Sequence, residues 1–272
     1  MPYPRVEDDR VWLGDRLAVS FHRTLRVADD GRVFPLPAGL GRFPLVEVGG
    51  ALVVPIHRFE AMWIGFSAAP WKPNALKVLA GGINAVSGLA DPGTPPGAVA
   101  DYLVCPPQPW LDGFNAGGGT IRQFRAAALG VGAGIEALHG RDEQGGLTLL
   151  AFEPKPGRFP NSPPPQRGPM RLDRPHDIEG HEMAFGPGGL VRQKLYPDPY
   201  GAETWDPTSV VRLDLELVDA RWLAARTGRH YPTPIDAATY AAAGLPWFDL
   251  DDDAAGAVEP SVAPRPERDK SH

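Results

Sequence analysis

Glycine and proline interrupt this chain too often for long regular elements. Each occurs 32 times among 272 residues, and no Gly-X-Y repeat is present. Proline cannot donate a backbone hydrogen bond within a helix or central strand, whereas glycine permits tight turns. Because 43% of the residues are apolar, a core can still be buried. The composition therefore predicts many short strands joined by turns.

Alternation of apolar and polar residues locates these strands. In the segment 17–27 every second residue is apolar except Arg23, which indicates a strand with one buried face. The pair Gly49-Gly50 between two apolar runs predicts a hairpin within 43–56. Further strands are predicted at 33–36, 59–66, 76–80, 102–105, 121–127, 147–152, 190–195 and 210–218. Short strands spaced by turn residues predict a mainly β, antiparallel β-sandwich-like fold.

Helix signals are concentrated near the C-terminal end. Asp219 can cap the sequence ARWLAART before Gly228, and Asp236 can cap AATYAAA before Gly244. Aspartate at the N-cap and glycine beyond the last turn are typical helix boundaries. We therefore predict two short C-terminal helices.

The segment 1–250 is predicted to be a single β-rich domain. A proline-rich stretch at 153–175 offers a possible subdivision, as either a linker or a long surface loop, and a loop is favoured. Residues 251–272 lack apolar periodicity, which predicts a disordered tail rich in acidic residues and proline.

Charge and composition exclude some classes of partner. The net charge is −6 with scattered basic residues, which argues against nucleic-acid binding. No long apolar run indicates a membrane span, and the N-terminus lacks the apolar core of a signal peptide. The single cysteine, Cys105, is compatible with a reducing compartment. We expect a soluble cytoplasmic protein with no nucleic-acid or membrane partner.

The run 81–124 combines glycine, proline, asparagine and aromatic residues with almost no Lys or Glu. This composition indicates a rigid loop system rather than a solvated linker. Tryptophan beside carboxylate and amide groups is typical of surfaces that stack against a ligand and hydrogen-bond to it. The candidate ligand-binding residues are Trp71, Asn84, Trp110, Asp112, Asn115, Arg122 and Gln123. The same side chains could instead close one end of the sandwich by binding turn amides.

Catalytic patterns are weaker. A hydrolase could use Asp112 with His57 or His139, and a metal could bind near His176, His181 and Glu182. Cys105 is more simply interpreted as a small buried residue than as a nucleophile. The sequence contains no GxSxG motif, and no serine–histidine pair is evident. Gly117 to Gly119 lack the lysine of a phosphate-binding loop, so they indicate a turn. No cofactor is predicted, and whether the protein is an enzyme is left open.

Several longer segments resemble a family of mainly bacterial soluble proteins. These segments are PLPAGLGRFPL, GGINAVSG, YLVCPPQPWLDGFNAGGGTIRQF, MAFGPGGLVRQKLYPDPYG and AAGLPWFDL, which together span about 36–250. The family has no assigned activity, so the resemblance implies no site residue. The chain differs from the family pattern in the alanine-rich stretch 125–138 and after the GLPWFD motif.

The function predicted from the sequence is a binding or assembly module. Its contact surface would be the rigid loop system that carries the tryptophan and asparagine residues. The partner would be an unidentified protein or a small polar ligand, and self-association into a homo-oligomer is included because antiparallel sandwiches have edges to pair.

Overall fold

A computed structural model describes residues 4–58, 60–97, 100–129, 134–135, 145–164 and 184–245, with the side chains of 184–187 excepted. Two β-sheets pack face to face in this part of the chain, so the predicted β-sandwich-like fold is confirmed. The strands are β1 (Arg5–Glu7), β2 (Arg10–Leu13), β3 (Leu17–Thr24), β4 (Val33–Phe34), β5 (Val46–Val48), β6 (Ala51–Ile56), β7 (Ala61–Ala68), β8 (Asn74–Ala80), β9 (Ile83–Asn84), β10 (Leu103–Cys105), β11 (Trp110–Leu111), β12 (Gly113–Asn115), β13 (Ile121–Ala127), β14 (Leu147–Phe152), β15 (Ala184–Val191) and β16 (Val211–Asp219).

The first sheet has the strand order β1-β2-β3-β7-β13-β15-β4, with β11 paired to β7 and β12 paired to β13. The second sheet has the order β10-β8-β14-β16-β6-β5, with β9 paired to β8. Most neighbours are antiparallel, as predicted. Two pairs are parallel: β15 with β4, and β16 with β6. Parallel neighbours cannot be joined by a tight hairpin, so each pair brings together distant parts of the chain.

The main core lies between the sheets. Phe21 of β3 and Met62 of β7 face Val78 of β8 and Leu149 of β14 within one buried cluster. These residues follow the alternation of their strands, because every second side chain of a strand points to the same face. The alternation seen in the sequence thus selects the residues that join the two sheets.

Arg23 interrupts the apolar face of β3, and the structure shows how it is accommodated. Its side chain is fully buried, and its Nε donates to Oε1 of the equally buried Glu60 at 3.0 Å. A guanidinium nitrogen of Arg23 also donates to the carbonyl oxygen of Arg42 at 2.7 Å. Thr233 donates its hydroxyl to Glu60 at 2.7 Å. A buried ion pair is tolerated only when its remaining polar groups are satisfied, as here.

Both predicted helices are present. They are α1 (Ala220–Thr227) and α2 (Ala237–Ala242). The Asp219 carboxylate accepts the N–H of Arg221 at 2.9 Å, and the Asp236 carboxylate accepts the N–H of Thr239 at 2.7 Å. A single 3-10 turn, Ala202–Thr204, is also described. None of these helices is long and apolar enough to cross a membrane.

Most strand boundaries differ from the prediction by one or two residues, and two differ by more. The strand predicted at 17–27 ends at Thr24, and the N–H of Val27 is bound by the Gln123 side chain instead of a neighbouring strand. The strand predicted at 190–195 ends at Val191, and residues 192–200 form an irregular segment. The hairpin at Gly49-Gly50 joins β5 to β6 as expected. The proline-rich stretch is described only to residue 164, and residues 246–272 lie outside the described part.

Candidate binding surface

Gln108 joins two loops of the molecule at one point. Its buried side-chain Nε2 donates to the carbonyl oxygen of Trp110 at 2.7 Å and to that of Lys194 at 3.0 Å. Its Oε1 accepts the N–H of Tyr196 at 3.0 Å. The amide therefore uses both of its ends, and it holds the irregular segment after β15 against the strand β11. Gln108 was not among the residues predicted from the sequence.

The side chains brought together by Gln108 expose a large apolar area. Trp110 is 45% exposed, and Leu195 and Tyr196 are also exposed large side chains. The Nζ of Lys194 lies 4.7 Å from the centre of the Tyr196 ring. Contiguous apolar side chains on a surface mark sites of interaction more often than single ones do. We call Trp110, Lys194, Leu195 and Tyr196 the Trp110 surface.

Asp112 is a buried neighbour of the exposed Trp110. Burial raises the pKa of the Asp112 carboxyl group to about 6, and the Trp110 side chain acts in the opposite direction. The residue is only 4% exposed, and removal from water disfavours the charged form of a carboxyl group. Trp110 is thus held at its backbone by Gln108, and its side chain lies beside a buried carboxyl group.

Gln193 supports Asp112 from the segment that follows β15. Its Oε1 accepts the N–H of Asp112 at 2.9 Å and the N–H of Gly113 at 3.1 Å. Two buried atoms here, Oδ1 of Asp112 and Nε2 of Gln193, have no hydrogen-bond partner among the described residues. Gln193 also lines a pocket of about 310 Å³ beside the turn of Gly119 and Thr120.

Asn84 and Asn115 have a different role from Trp110. The Asn84 side chain is buried, and its Oδ1 accepts the N–H groups of Val86 and Ser87 at 2.9 and 3.2 Å. The Asn115 side chain donates to the carbonyl oxygen of Val86 at 3.1 Å. Together they clamp the turn after β9 onto β12. This geometry matches the structural alternative, in which amide side chains satisfy turn amides.

Lys77 extends the clamp around Asn84. Its Nζ is fully buried and lies 2.9 Å from Asp91 and 2.7 Å from Asp101. The Asn84 amide donates to the same Asp91 oxygen at 2.9 Å. The cluster therefore closes the loop after β9 over the outer face of the second sheet, and its polar groups bind one another.

The remaining candidates lie apart from the Trp110 surface. Arg122 donates to Asp29 at 2.6 Å and to the carbonyl oxygen of Gly188 at 3.1 Å. The fully buried Gln123 binds the backbone of Leu25 and Val27 at 2.9 and 3.0 Å. These two side chains hold the segment after β3 to β13.

Trp71 follows the end of β7. The guanidinium of Arg16 lies 5.8 Å from the centre of its ring. No described contact joins Trp71 to Trp110. The predicted set is therefore divided among four places in the fold, which are Trp71, Asn84 with Asn115, Trp110 with Asp112, and Arg122 with Gln123.

The catalytic alternatives find little geometric support. His57 Nε2 lies 3.3 Å from the carbonyl oxygen of Tyr231, and no described histidine hydrogen-bonds to Asp112. Cys105 is fully buried, and burial raises the pKa of its thiol, so the thiolate is disfavoured. His139, His176, His181 and Glu182 lie outside the described residues. Within the described ranges, no group of three or more His, Cys, Asp or Glu side chains is placed to hold a metal ion.

A serine–histidine pair that the sequence did not reveal is present on β3. Ser20 Oγ lies 2.9 Å from His22 Nε2, and the imidazole stacks on Trp63 with a centroid distance of 3.8 Å. Burial and then the charges of Arg42 and Arg10 lower the pKa of His22 to about 4, so the imidazole is neutral at pH 7. In the part of the chain that is described, no carboxylate hydrogen-bonds to His22. The pair therefore lacks the orienting acid of a catalytic triad.

The fold and this geometry define the class of protein as a two-sheet β protein, and its Trp110 is exposed on a backbone that a buried glutamine binds. Compared with protein-family models, curated proteins and solved structures, the chain shows no significant match.

Proposed function

We propose that the protein is a binding module, and that the Trp110 surface is the contact site for another polypeptide. The observation that carries this proposal is that Trp110 is 45% exposed although its carbonyl oxygen is bound by the buried Gln108 and its side chain neighbours the buried Asp112. A large apolar side chain on a fixed backbone that is left in water marks a contact site. The proposal keeps the predicted binding module but narrows its surface.

Preorganisation is the physical argument for binding. Ordering a free side chain on association costs about 0.5–1.5 kcal/mol. Gln108 already fixes the backbone of Trp110, so a partner would not have to supply the free energy of ordering this part of the chain. Tryptophan and tyrosine also dominate the binding energy of many protein interfaces, because they bury a large apolar area and retain a polar edge.

The chemistry of the surface favours a polypeptide over a small polar ligand. The exposed atoms of Trp110, Leu195 and Tyr196 are mainly apolar, and Lys194 supplies one cation at their edge. The unpartnered polar atoms of Asp112 and Gln193 are buried beneath this surface. A partner with an apolar side chain flanked by a carboxylate would match the exposed groups.

A site-specific photo-crosslinking experiment tests the proposal. A benzophenone amino acid would replace Leu195 in the protein expressed in its source cells, and adducts would be identified by mass spectrometry. A matched probe would replace Arg221, next to Trp222, which is 42% exposed and covered on one face by Arg226 at 3.6 Å. We expect a defined protein adduct from position 195, reduced at least about tenfold by Trp110→Ala, because loss of a central aromatic contact costs about 2 kcal/mol or more.

Trp222→Ala would be the control substitution, and it should leave the adduct from position 195 unchanged. Equal crosslinking from positions 195 and 221 would contradict the proposal. An adduct that persists fully in Trp110→Ala would also contradict it. Binding of soluble glycans in place of protein, measured by chemical-shift changes of the Trp110 indole, would reassign the surface to a small polar ligand.

A further inference from the structure

An apolar groove lies between α2 and the segment that follows β3. Its volume is about 390 Å³. Leu25 and Val27 form one side, Phe34 and the prolines after it form a second side, and the end of α2 forms the third. Among the described lining residues, only Thr239 has a polar side chain. Such a groove leaves apolar surface in contact with water unless something covers it.

The packing of α2 explains why the groove is open. Tyr240 is buried against Leu25 and Ile235, and its hydroxyl accepts the N–H of Arg26 at 3.0 Å. This contact anchors one side of the helix. Toward the groove, the last residue of α2 and the residue after it present only the methyl groups of Ala242 and Ala243, which are exposed, and Thr239 lies one turn earlier. Side chains this small cannot span the space to Phe34.

The described part of the chain ends at Leu245, which lies in the wall of the groove. Gly244 donates its N–H to the carbonyl oxygen of Ala241 at 3.1 Å, and Leu245 donates its N–H to that of Tyr240 at 3.0 Å. These bonds close the last turn of α2 and reverse the chain. Leu245 then lines the groove and packs against the cluster of Leu25, Ile235 and Tyr240.

We propose that the groove is the docking site of the segment Pro246-Trp247-Phe248 of the same chain. These residues follow Leu245 directly in the sequence. An extended chain advances about 3.3–3.6 Å per residue, so Trp247 can reach no more than about 7 Å beyond Leu245. Two aromatic side chains in succession are the residue types that gain most from leaving water.

The residues after Phe248 set the C-terminal limit of the docking segment. Asp249 and the run Asp251 to Asp253 follow it in the sequence. Carboxylates are costly to bury without partners, so they belong outside an apolar groove. The occupant is therefore three residues long. It acts as a latch that covers the open side of α2.

Two C-terminal truncations test the latch. One chain would end at Leu250 and keep the segment, and the other would end at Leu245 and lack it. We expect the chain ending at Leu250 to have the same melting midpoint as the full-length protein. The chain ending at Leu245 should melt at least about 3 °C lower and should enhance the fluorescence of a dye that binds exposed apolar surface. A peptide of residues 245–250, added in trans, should reverse the dye signal.

A substitution in the groove provides the matched test. Ala242→Lys places a charged side chain in the groove at the C-terminal end of a helix, where a cation is otherwise tolerated. It should lower the melting midpoint of the chain ending at Leu250 and have little effect on the chain ending at Leu245, because the two changes remove the same contact. In the full-length chain, the double substitution Trp247→Ala and Phe248→Ala should lower the melting midpoint and enhance the dye fluorescence as truncation at Leu245 does. Trp222→Ala should change neither.

Equal melting midpoints and dye fluorescence for the two truncations would overturn the proposal. Additive effects of Ala242→Lys and the deletion would overturn it as well. The difference in melting midpoint between the two truncated chains could also disappear on dilution, with sedimentation showing that the longer chain is a dimer. In that case the groove binds a second copy of the chain, and docking within one chain is excluded.

Discussion

Gln193 accepts the main-chain N–H of Asp112 at 2.9 Å, although 81 positions separate the two residues in the chain. The same Oε1 accepts the N–H of Gly113. This contact fixes the turn between β11 and β12 to the segment after β15. The position of the carboxyl group beside Trp110 therefore depends on a side chain from a distant part of the sequence.

Replacing Gln193 by alanine should destabilise the protein. The N–H groups of Asp112 and Gly113 would lose their acceptor, and unsatisfied buried donors cost about 1–3 kcal/mol. Urea denaturation followed by circular dichroism measures this change in the free energy of unfolding. Arg192→Ala is the control, because Arg192 is exposed and its loss should change stability by less than about 0.5 kcal/mol. Equal stability of the two variants would refute the role assigned to Gln193.

Asp112→Asn should be more stable than the natural protein at pH 7. Burial raises the folded-state pKa of Asp112 from its ordinary value of 3.8 to about 6. Its protonation therefore favours the folded state below the unfolded pKa, and this contribution is lost as the pH rises through 6. The variant should gain about 1–2 kcal/mol at pH 7 and little at pH 4. Denaturation curves across this range provide the measurement.

Asp214→Asn is the control for that titration. Asp214 is exposed. Burial is the largest single effect on its pKa and raises it, but the hydrogen bonds from Arg212 and Thr148 and the charge of Arg212 together outweigh burial, so the pKa is lowered. Its stabilising contribution is present at neutral pH and is lost as the pH falls through the folded pKa. The substitution should therefore give no gain at pH 7. A pH-independent difference between Asp112→Asn and the natural protein would contradict the elevated pKa.

Lys77→Met should be strongly destabilising. Removing the ammonium leaves Asp91 and Asp101 close together without their shared cation, and breaking such a buried pair costs about 3–5 kcal/mol. Lys72→Met serves as the matched control, because Lys72 forms a long contact of 3.4 Å to Asn161 near the surface. Calorimetric melting of both variants compares them. A loss below about 1 kcal/mol for Lys77→Met would show that the cluster does not clamp the loop after β9.

Gly113 and Gly118 should respond differently to alanine. A Cβ atom at Gly113 would lie only 2.1 Å from the carbonyl oxygen of Arg122, whereas Gly118 has a φ of +59° and open space around it. Overpacking against backbone at Gly113 should cost at least about 2–3 kcal/mol. Strain at Gly118 should cost about 1 kcal/mol. Thermal denaturation would rank them, and the reverse order would argue against the close approach of β12 to β13.

Cys105 should resist thiol reagents in the folded protein. Its side chain is fully buried, and burial raises the pKa of the thiol. A thiol-specific chromophore should therefore react only after unfolding, when its reaction should be complete. Fast labelling under native conditions would place the thiol at an accessible site and reopen its interpretation as a nucleophile.

The sequence was a good guide where local patterns decide the structure. Strands β13 and β14 have the predicted bounds, because each is a short segment enclosed by glycine- or proline-containing turns. The caps Asp219 and Asp236 were also correct, since a capping side chain contacts only its own first turn. The hairpin at Gly49-Gly50 has the same local origin.

The candidate site was only partly predictable. Trp110 and Asp112 stood out by residue type, but Gln108 and Gln193 act through hydrogen bonds to distant backbone, which leave no periodic signal. Strand β11 is two residues long, so its pairing with β7 is set by tertiary contacts rather than by alternation. Arg23 looked out of place on the apolar face of β3, because its partner Glu60 lies just before β7 and is 37 positions away in the sequence.

The parallel pairing of β6 with β16 has a consequence for synthesis of the chain. β16 is the strand that joins β6 to β14 in the second sheet, yet it comes more than 150 positions after β6. A nascent chain emerging from the ribosome would carry β6 with an open hydrogen-bonding edge until almost all of the sandwich has been translated. Assembly should therefore be late and slow, as for other chains rich in long-range strand contacts.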